Sequence, residues 1–481
     1  MRRSLFLLFI ISLAGCTVGP NYRAPETRMP EAWSELQEDF TTDHPAELTQ
    51  WWTTFNDFML DSLMARAVAA NLDVRVAEAR IREARAARGV VAAEGLPTID
   101  ASGSYSHSRR SENADSFGNF SGGGSTGNSA FDLESELFQA GFDATWELDV
   151  FGRVRRSVEA AEADIAAAEE SRRDVLVTVL AEVARNYVEL RGVQQQLTVA
   201  RGNIATQQET VELTQARFQA GLTSALDVAQ AEAQLATTQS QIPLLEIAIK
   251  QTIHGLGVLL GQEPVALLEE LSPEAPIPQV PLETAIGLPS DLLRRRPDIR
   301  RAERELAAAT ARIGVATADL FPRFSLTGFL GLQSLDLEDI ALGSSRFWTT
   351  GPNISVPLFE AGRIHANIRV QNARQEQALA QYEKTLLTAL TDVENSLVAY
   401  AKEQARRRAL AAAVDANRQA VDLANERYTK GLADFLNVLE SQRSLYISQD
   451  QLVQSERTAV ANLIALYKAL GGGWEVLPQT N

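Results

Sequence analysis

Apolar residues, with Gln194 the one polar member, recur at alternating steps of four and three through Leu176, Leu180, Val183, Tyr187, Leu190, Gln194 and Leu197. They continue every seventh residue at Ile204, Val211 and Phe218. Leu386, Leu390, Val393, Leu397, Tyr400, Val414, Val421 and Tyr428 keep the same register later in the chain. A sustained period of 3.5 predicts helices packed along their length in coiled-coil fashion. The long helices are placed at 152–219 and 362–429, the first of them about 100 Å long at a rise of 1.5 Å per residue. Returning helices follow at 223–260, with Val228, Leu235, Ile242, Ile249 and Leu256, and at 433–470, with Val438, Leu445, Leu452, Ala459 and Leu466. Pro243 stands where the second copy has Val453, so a kink or a locally broken hydrogen-bond ladder is expected there.

Elsewhere the period changes to two. Phe138, Ala140, Phe142, Ala144, Trp146, Leu148 and Val150 alternate with Gln139, Gly141, Asp143, Thr145, Glu147 and Asp149. One face of such a strand is apolar and the other polar, as in a barrel wall with lipid outside and water inside. A soluble antiparallel sheet is the competing reading. Strands are expected at 98–111, 131–150, 322–333 and 346–358, the first and the last two alternating less cleanly.

The chain repeats itself. "RFQAGLTSALDV" (217–228) returns as "RYTKGLADFLNV" (427–438), and "NLDVRVAEARIREARAARGVVAAEGLP" (71–97) aligns with "RPDIRRAERELAAATARIGVATADLFP" (296–322). The offset shrinks between these pairs because the first half holds extra residues around "GNFSGGGSTGNS" (118–129), a flexible loop composition. Repeat 1 therefore covers 60–261 and repeat 2 covers 290–470. Each has an opening helix (about 60–95 in the first), two strands, a long helix, a hairpin and a helix back. Gly221 and Gly431 are suited to the left-handed backbone at the helix stops, and Ser224 or Asp434 to capping the next start. The remaining segments are 16–59, a Pro-rich linker at 262–289 and a tail at 471–481.

Composition removes several function classes. With 45 basic against 62 acidic residues and a net charge of −17, the chain is a poor nucleic-acid binder. Four scattered histidines give no metal-ligand spacing, and no P-loop or dinucleotide-binding glycine motif is present. No catalytic residues, cofactor or metal are expected, and the chain is not read as an enzyme.

The N-terminus "MRRSLFLLFIISLAGC" has two arginines, an apolar run and a small-residue segment, the pattern of a secretory signal covering 1–15. The sole cysteine, Cys16, ends "LAGC", which resembles the lipobox of bacterial lipoproteins. That likeness makes Cys16 the lipidated first residue after cleavage, and Thr17 in place of Asp points to outer-membrane sorting. An ordinary signal with an incidental buried cysteine is the plainer alternative.

Four amphipathic strands cannot close a barrel, and open sheet edges are not tolerated in hydrocarbon. Oligomerisation is therefore expected. Two copies give eight strands with a filled interior, and three give 12 strands, the smallest number that leaves a lumen.

"CTVGPNY" (16–22), "WWTTFND" (51–57) and "LPSDLLRRRPDIRRAE" (288–303) resemble the signature strings of the TolC-like outer-membrane factor family, in its NodT-type lipoprotein branch. The resemblance implies a mainly α fold with a membrane β-barrel part. That is a homotrimeric 12-stranded β-barrel continuous with a 12-helix α-barrel, belted by the N-terminal segment, the linker and the C-terminus. It implies a lipid-anchored, Gram-negative outer-membrane exit duct of a tripartite efflux system, partnered by a periplasmic adaptor (a membrane fusion protein) and an inner-membrane transporter of resistance-nodulation-division type. It also implies an aperture or gate at Leu436, Asn437 and Glu440, with Asp434 a weaker member. Adaptor docking falls on the hairpin tips at Arg217, Gly221, Leu222, Arg427, Gly431 and Leu432. The bland readings are a solvated helix face for the acidic residues and simple turn closure for the Gly-Leu pairs. A type I protein-secretion conduit shares the same architecture. A periplasmic adaptor would show one coiled-coil hairpin instead of two, and a lipid-anchored coiled-coil scaffold would lack the alternating strands.

Overall fold

The computed structural model describes residues 17–35, 41–42, 48–109, 111, 134–279, 284–285 and 287–476. The signal segment, Cys16 and the loop at 118–129 lie outside the described residues. The chain divides into two compact units. One holds residues up to 23 with 83–165 and 305–379, and the other holds 24–82, 166–304 and the chain from 380 onward.

In the first unit, strands β1 (Thr98–Arg109), β2 (Glu134–Leu148), β3 (Arg323–Ser334) and β4 (Arg346–Ser355) form one sheet in the order β1-β2-β3-β4. All three pairings are antiparallel, so each repeat supplies one adjacent pair and the two pairs join through β2 and β3. The register places Phe142 opposite Leu330, Trp146 opposite Leu326 and Leu330 opposite Trp348. Side chains of successive residues point to opposite faces. One face therefore collects Ile99, Phe142, Trp146, Leu326, Leu330, Trp348 and Ile354, and all seven are exposed. Leu330 and Trp348 are 63% and 72% accessible. Beyond Tyr105 and Phe138, which pack at 4.8 Å, the same face turns charged through His107–Glu136 and Arg109–Glu134. From Phe138 to Leu148 the apolar stretch spans about 24 Å of membrane thickness at a 45° tilt, the height of an outer-membrane apolar band.

β2 ends at Leu148, two residues before the expected 150, because Asp149 turns to cap the next helix and accepts from the amides of Val154 (3.0 Å) and Arg155 (2.9 Å). β4 stops at Ser355, short of 358, ahead of Pro357, which has no amide proton for the ladder.

The helices longer than two turns are α1 (Phe58–Ala70), α2 (Leu72–Ala93), α3 (Arg153–Gln219), α4 (Ala225–Gln239), α5 (Ile242–Leu259), α6 (Pro297–Ala318), α7 (Arg363–Thr429) and α8 (Phe435–Ala469). One departs from the single helix expected, and the return helix of repeat 1 carries the break expected near Pro243. The opening helix of repeat 1 is interrupted at Asn71, which is extended (φ −60°, ψ 133°). Its Oδ1 accepts from the amides of Asp73 and Val74, and its Nδ2 donates to the Leu259 carbonyl at 2.8 Å. The return helix of repeat 1 breaks at Ser240–Gln241, and Pro243 sits in the first turn of α5, where its missing amide proton is harmless.

The core of the second unit gathers around the heptad positions. Leu176, Leu180, Val183, Tyr187 and Leu190 on α3 are buried against Val393, Leu397 and Tyr400 on α7 and Leu463, Leu466 and Tyr467 on α8. Trp33, Leu48, Trp51, Trp52 and Phe55 from the N-terminal segment and Leu267 and Leu271 from the linker enter the same cluster. Trp51 stacks on Tyr467 at 5.1 Å. The linker holds a four-residue helix, Leu268–Leu271, before its prolines enforce an irregular path, and a two-residue strand, Thr284–Ala285, that pairs with Thr41–Thr42. A second, separate cluster of Val211, Ala231, Ala424, Tyr428, Phe435 and Val438 closes the hairpin ends. The intervening level mixes buried apolar side chains such as Ala200, Val414 and Val421 with buried polar ones. There Gln442 donates to Thr210 Oγ1 at 2.8 Å, and the buried Gln207 amide has no hydrogen-bond partner among the described residues. Phe218, the last member of the first heptad series, is 46% exposed on the single chain instead of buried.

Candidate functional site

Both hairpins end their long helices in the same way. Gly221 has φ +72° and Gly431 φ +69°, a region open to glycine at no steric cost. Leu222 N donates to Arg217 O and Leu432 N donates to Arg427 O, each at 2.8 Å. These six-to-one bonds are the Schellman closure of a helix C-terminus. A hydrophobic side chain one residue past the glycine usually folds back onto the helix, yet Leu222 and Leu432 are both 65% exposed. The closure is satisfied by backbone alone, which leaves both leucines available.

The next helix starts differently in the two copies. Ser224 forms a capping box with Asp227, each side chain engaging the other's amide. Asp434 occupies the equivalent cap position but its carboxylate makes no cap bond, so capping by Asp434 does not occur and that charge stays exposed. Asn437 Nδ2 instead reaches back to the Asp434 carbonyl at 3.4 Å.

Five of the singled-out residues line one open groove of about 650 Å³: Arg427, Gly431, Leu432, Asp434 and Asn437. Leu436 and Glu440 lie exposed on the first turns of α8. Arg217, Gly221 and Leu222 belong to the other hairpin and do not line that groove. Arg217 joins the two, its guanidinium 4.6 Å from the Tyr428 ring centroid and its Nη1 donating to Thr429 O at 3.3 Å.

Two buried arginines matter that hydropathy alone does not mark. In the second unit, Arg296 within "RRRPDIRR" donates to both oxygens of Asp298 (3.0 and 2.7 Å), to Asp392 (3.2 Å) and to the Ala469 carbonyl (2.9 Å) at the end of α8. It borders a cavity of about 370 Å³ with Asp174, Asp298, Asp392 and Lys468. Burial raises the Asp174 carboxyl above its ordinary range and Asp298 adds to the rise, while Arg301, Arg296 and Lys468 oppose it. Nearby, Glu170 takes Arg173 at 2.6 Å and Arg300 at 2.7 Å, and both guanidinium groups lie over Trp474.

In the first unit, Arg156 on α3 holds the segment that follows Cys16. Its Nε donates to the Val18 carbonyl at 3.1 Å and its Nη2 to Asn21 Oδ1 at 2.7 Å, while Val18 N bonds the Phe151 carbonyl at 3.2 Å. Residues 17–21 are thereby strapped to the junction between β2 and α3. Among the described residues no group of three or more His, Cys, Asp or Glu is arranged to hold a metal.

With this geometry, the comparisons with known proteins agree. The outer membrane efflux protein family matches residues 63–262 and 288–472, one segment for each repeat. The chain is 32% identical over 467 residues to nodulation protein T of Rhizobium leguminosarum bv. trifolii, covering 97% of this chain and 96% of that one. It is 33% identical over 480 residues to the solvent efflux pump outer membrane protein SrpC of Pseudomonas putida, covering 98% and 99%. The solved outer-membrane channel OprN superposes with a TM-score of 0.87 at 37% identity, covering 96% of this chain and all of that one. The chain belongs to the outer membrane efflux protein family. It is an outer-membrane channel of an efflux system, with the TolC-like fold of that family.

Proposed function

We propose that the protein works as a homotrimer and a passive exit duct, taking substrates from an inner-membrane transporter of resistance-nodulation-division type through a periplasmic adaptor. The observation that carries this reading is the sheet of the first unit. Its apolar face is open, and β1 and β4 each have an outer edge without a partner among the described residues. In hydrocarbon both edges need pairing, and three copies joined β4 to β1 give a closed 12-stranded barrel with its polar face toward water. The helical part offers matching surfaces, since Leu226, Leu244, Ile247 and Val258 on α4 and α5 and Leu387 and Leu423 on α7 are exposed. Covering them with the next copy completes a 12-helix tunnel.

The strap held by Arg156 supports lipidation at Cys16, because it fixes Thr17 at the foot of the strands, where an acyl anchor enters the inner leaflet. The aperture is assigned to Leu436, Asn437, Glu440 and Asp434 near the start of α8. Three copies of Glu440 around the axis repel one another and favour cations. The small tip cluster, separate from the main core, allows the hairpins to move as units when adaptor binding favours the dilated state.

In planar bilayers the purified protein is expected to conduct, and Glu440→Ala and Leu436→Ala are each expected to raise single-channel conductance. Glu440→Ala should also lower cation preference. Unchanged conductance and selectivity in both variants would remove these residues from the gate, and no conductance in the parent protein would remove the duct.

A further inference from the structure

Two aromatic rings stand on the polar face of the sheet. Phe329 on β3 and Phe347 on β4 stack with centroids 4.8 Å apart and planes 21° from parallel. The strand alternation puts both on the side opposite Leu330 and Trp348. Phe329 is held in place from below, since its ring lies across Gly141 and Gly331. A Cβ added at Gly141 would come within 2.6 Å of the ring, and one at Gly331 within 2.7 Å. The neighbouring backbone is as close, with Ala140 O against a Cβ at Gly331 and Leu330 O 2.7 Å from one at Gly141, so glycine is required at both positions.

The cross-strand row through Phe329 is also unusual in charge. It reads Asp100, Asp143, Phe329 and Thr349 across the four strands. Two carboxylates directly opposite one another on neighbouring strands are destabilising. Asp143 accepts from Ser102 Oγ at 2.6 Å, and among the described residues no basic side chain forms an ion pair with either carboxylate. Aromatic packing over glycines by itself accounts for a stabilised sheet. It does not account for opposed carboxylates set beside a half-buried stacked pair.

We infer that this row, together with Phe347, is a binding shelf for aromatic monovalent cations. A cationic solute bearing aryl rings packs one ring against the half-buried Phe329–Phe347 pair, and its charge sits against Asp143 and Asp100. An aromatic anion is rejected by the carboxylates, and a small aliphatic cation lacks the surface for stacking. The inference rests on reading the polar face as the lumen of a trimeric barrel, where three such shelves lie at one level.

The test is block of the full-length channel in planar bilayers by tetraphenylphosphonium, with tetramethylammonium and naphthalenesulfonate as comparison probes. The expected result is block by tetraphenylphosphonium alone, with the half-blocking concentration raised at least fivefold in Phe329→Ala and in Asp100→Asn and restored in Phe329→Tyr. Asp100→Asn removes a like-charge opposition, so its trimer should survive heating in detergent at least as well as the parent while binding more weakly. A purely structural role for the row predicts no loss of block in that variant. Half-blocking concentrations within twofold of the parent in both Phe329→Ala and Asp100→Asn overturn the shelf while leaving the duct intact. A parent protein that passes no current overturns the duct, and the shelf with it.

Discussion

Arg296→Ala is expected to destabilise the second unit by about 3–5 kcal/mol, the range for removing one partner of a buried ion pair. The side chain is 10% exposed and its donors serve Asp298, Asp392 and the Ala469 carbonyl that ends α8. Asp392 is 46% exposed and contributes little by itself. The cost comes mainly from Asp298 losing its two charge-assisted bonds and from the Ala469 carbonyl losing its donor in a buried setting. The measurement is the denaturation midpoint of the purified protein, together with the fraction recovered as heat-resistant oligomer. Arg296→Lys should recover only part of the loss, because a single ammonium cannot hold both Asp298 oxygens in a planar fork. A variant with a parental midpoint would show that the arginine is dispensable.

The pH dependence of that variant has a definite sign. Burial, with Asp298 second, raises the Asp174 carboxyl in the folded protein, so the native state holds a proton there more readily than the unfolded chain does. A raised carboxyl costs stability above its unfolded value, and the cost fades as pH falls through its folded value. Arg296 is one of the three cations that oppose the rise. Without it the cost near neutrality grows, so the stability gap between Arg296→Ala and the parent should narrow on acidification toward about pH 4, the ordinary aspartate range.

Heptad positions such as Leu180, Val183 and Leu397 were legible because a 3.5-residue period is a property of the string itself, and these residues are buried as that period requires. Phe218 follows the same period yet stays exposed on one chain, since its burial depends on neighbours that periodicity does not identify. The strand around Phe142 read clearly because its glycine and its polar residues fall on one face. The strand at 322–333 read poorly because Phe329 breaks the alternation, and the reason lies across the sheet at Gly141, far away in sequence. The break at Asn71 was missed for a related cause, because its extended backbone is held by a bond to Leu259 O. Arg156 and Arg296 are hydrophilic letters in helical contexts, which by themselves suggest solvated positions. Only a long-range partner distinguishes a buried arginine from an exposed one. Resemblance had marked the string around Arg296 without giving its role. The tip residues are the converse case, because Gly-Leu at a helix end predicts the closure observed but cannot say what covers the leucine.

Leu222→Asp combined with Leu432→Asp is expected to abolish efflux while leaving the pore able to conduct. Each leucine is 65% exposed, so covering it with a partner removes about two thirds of the side chain's surface from water, worth about 1–2 kcal/mol. That corresponds to roughly tenfold in affinity for each leucine. A carboxylate in its place forfeits that gain and adds the desolvation of a charge, so the single variants should weaken adaptor binding at least tenfold. The double variant repeats the defect at both hairpin tips of every copy. The Schellman bonds at Gly221 and Gly431 use only backbone atoms, which is why the hairpins themselves should fold normally. Adaptor binding by the purified double variant, its bilayer conductance and the drug susceptibility of a deletion strain carrying it separate the alternatives. Lost binding and lost resistance with parental conductance place docking on the tips. Parental resistance would mean that the Gly-Leu pairs do no more than turn the chain.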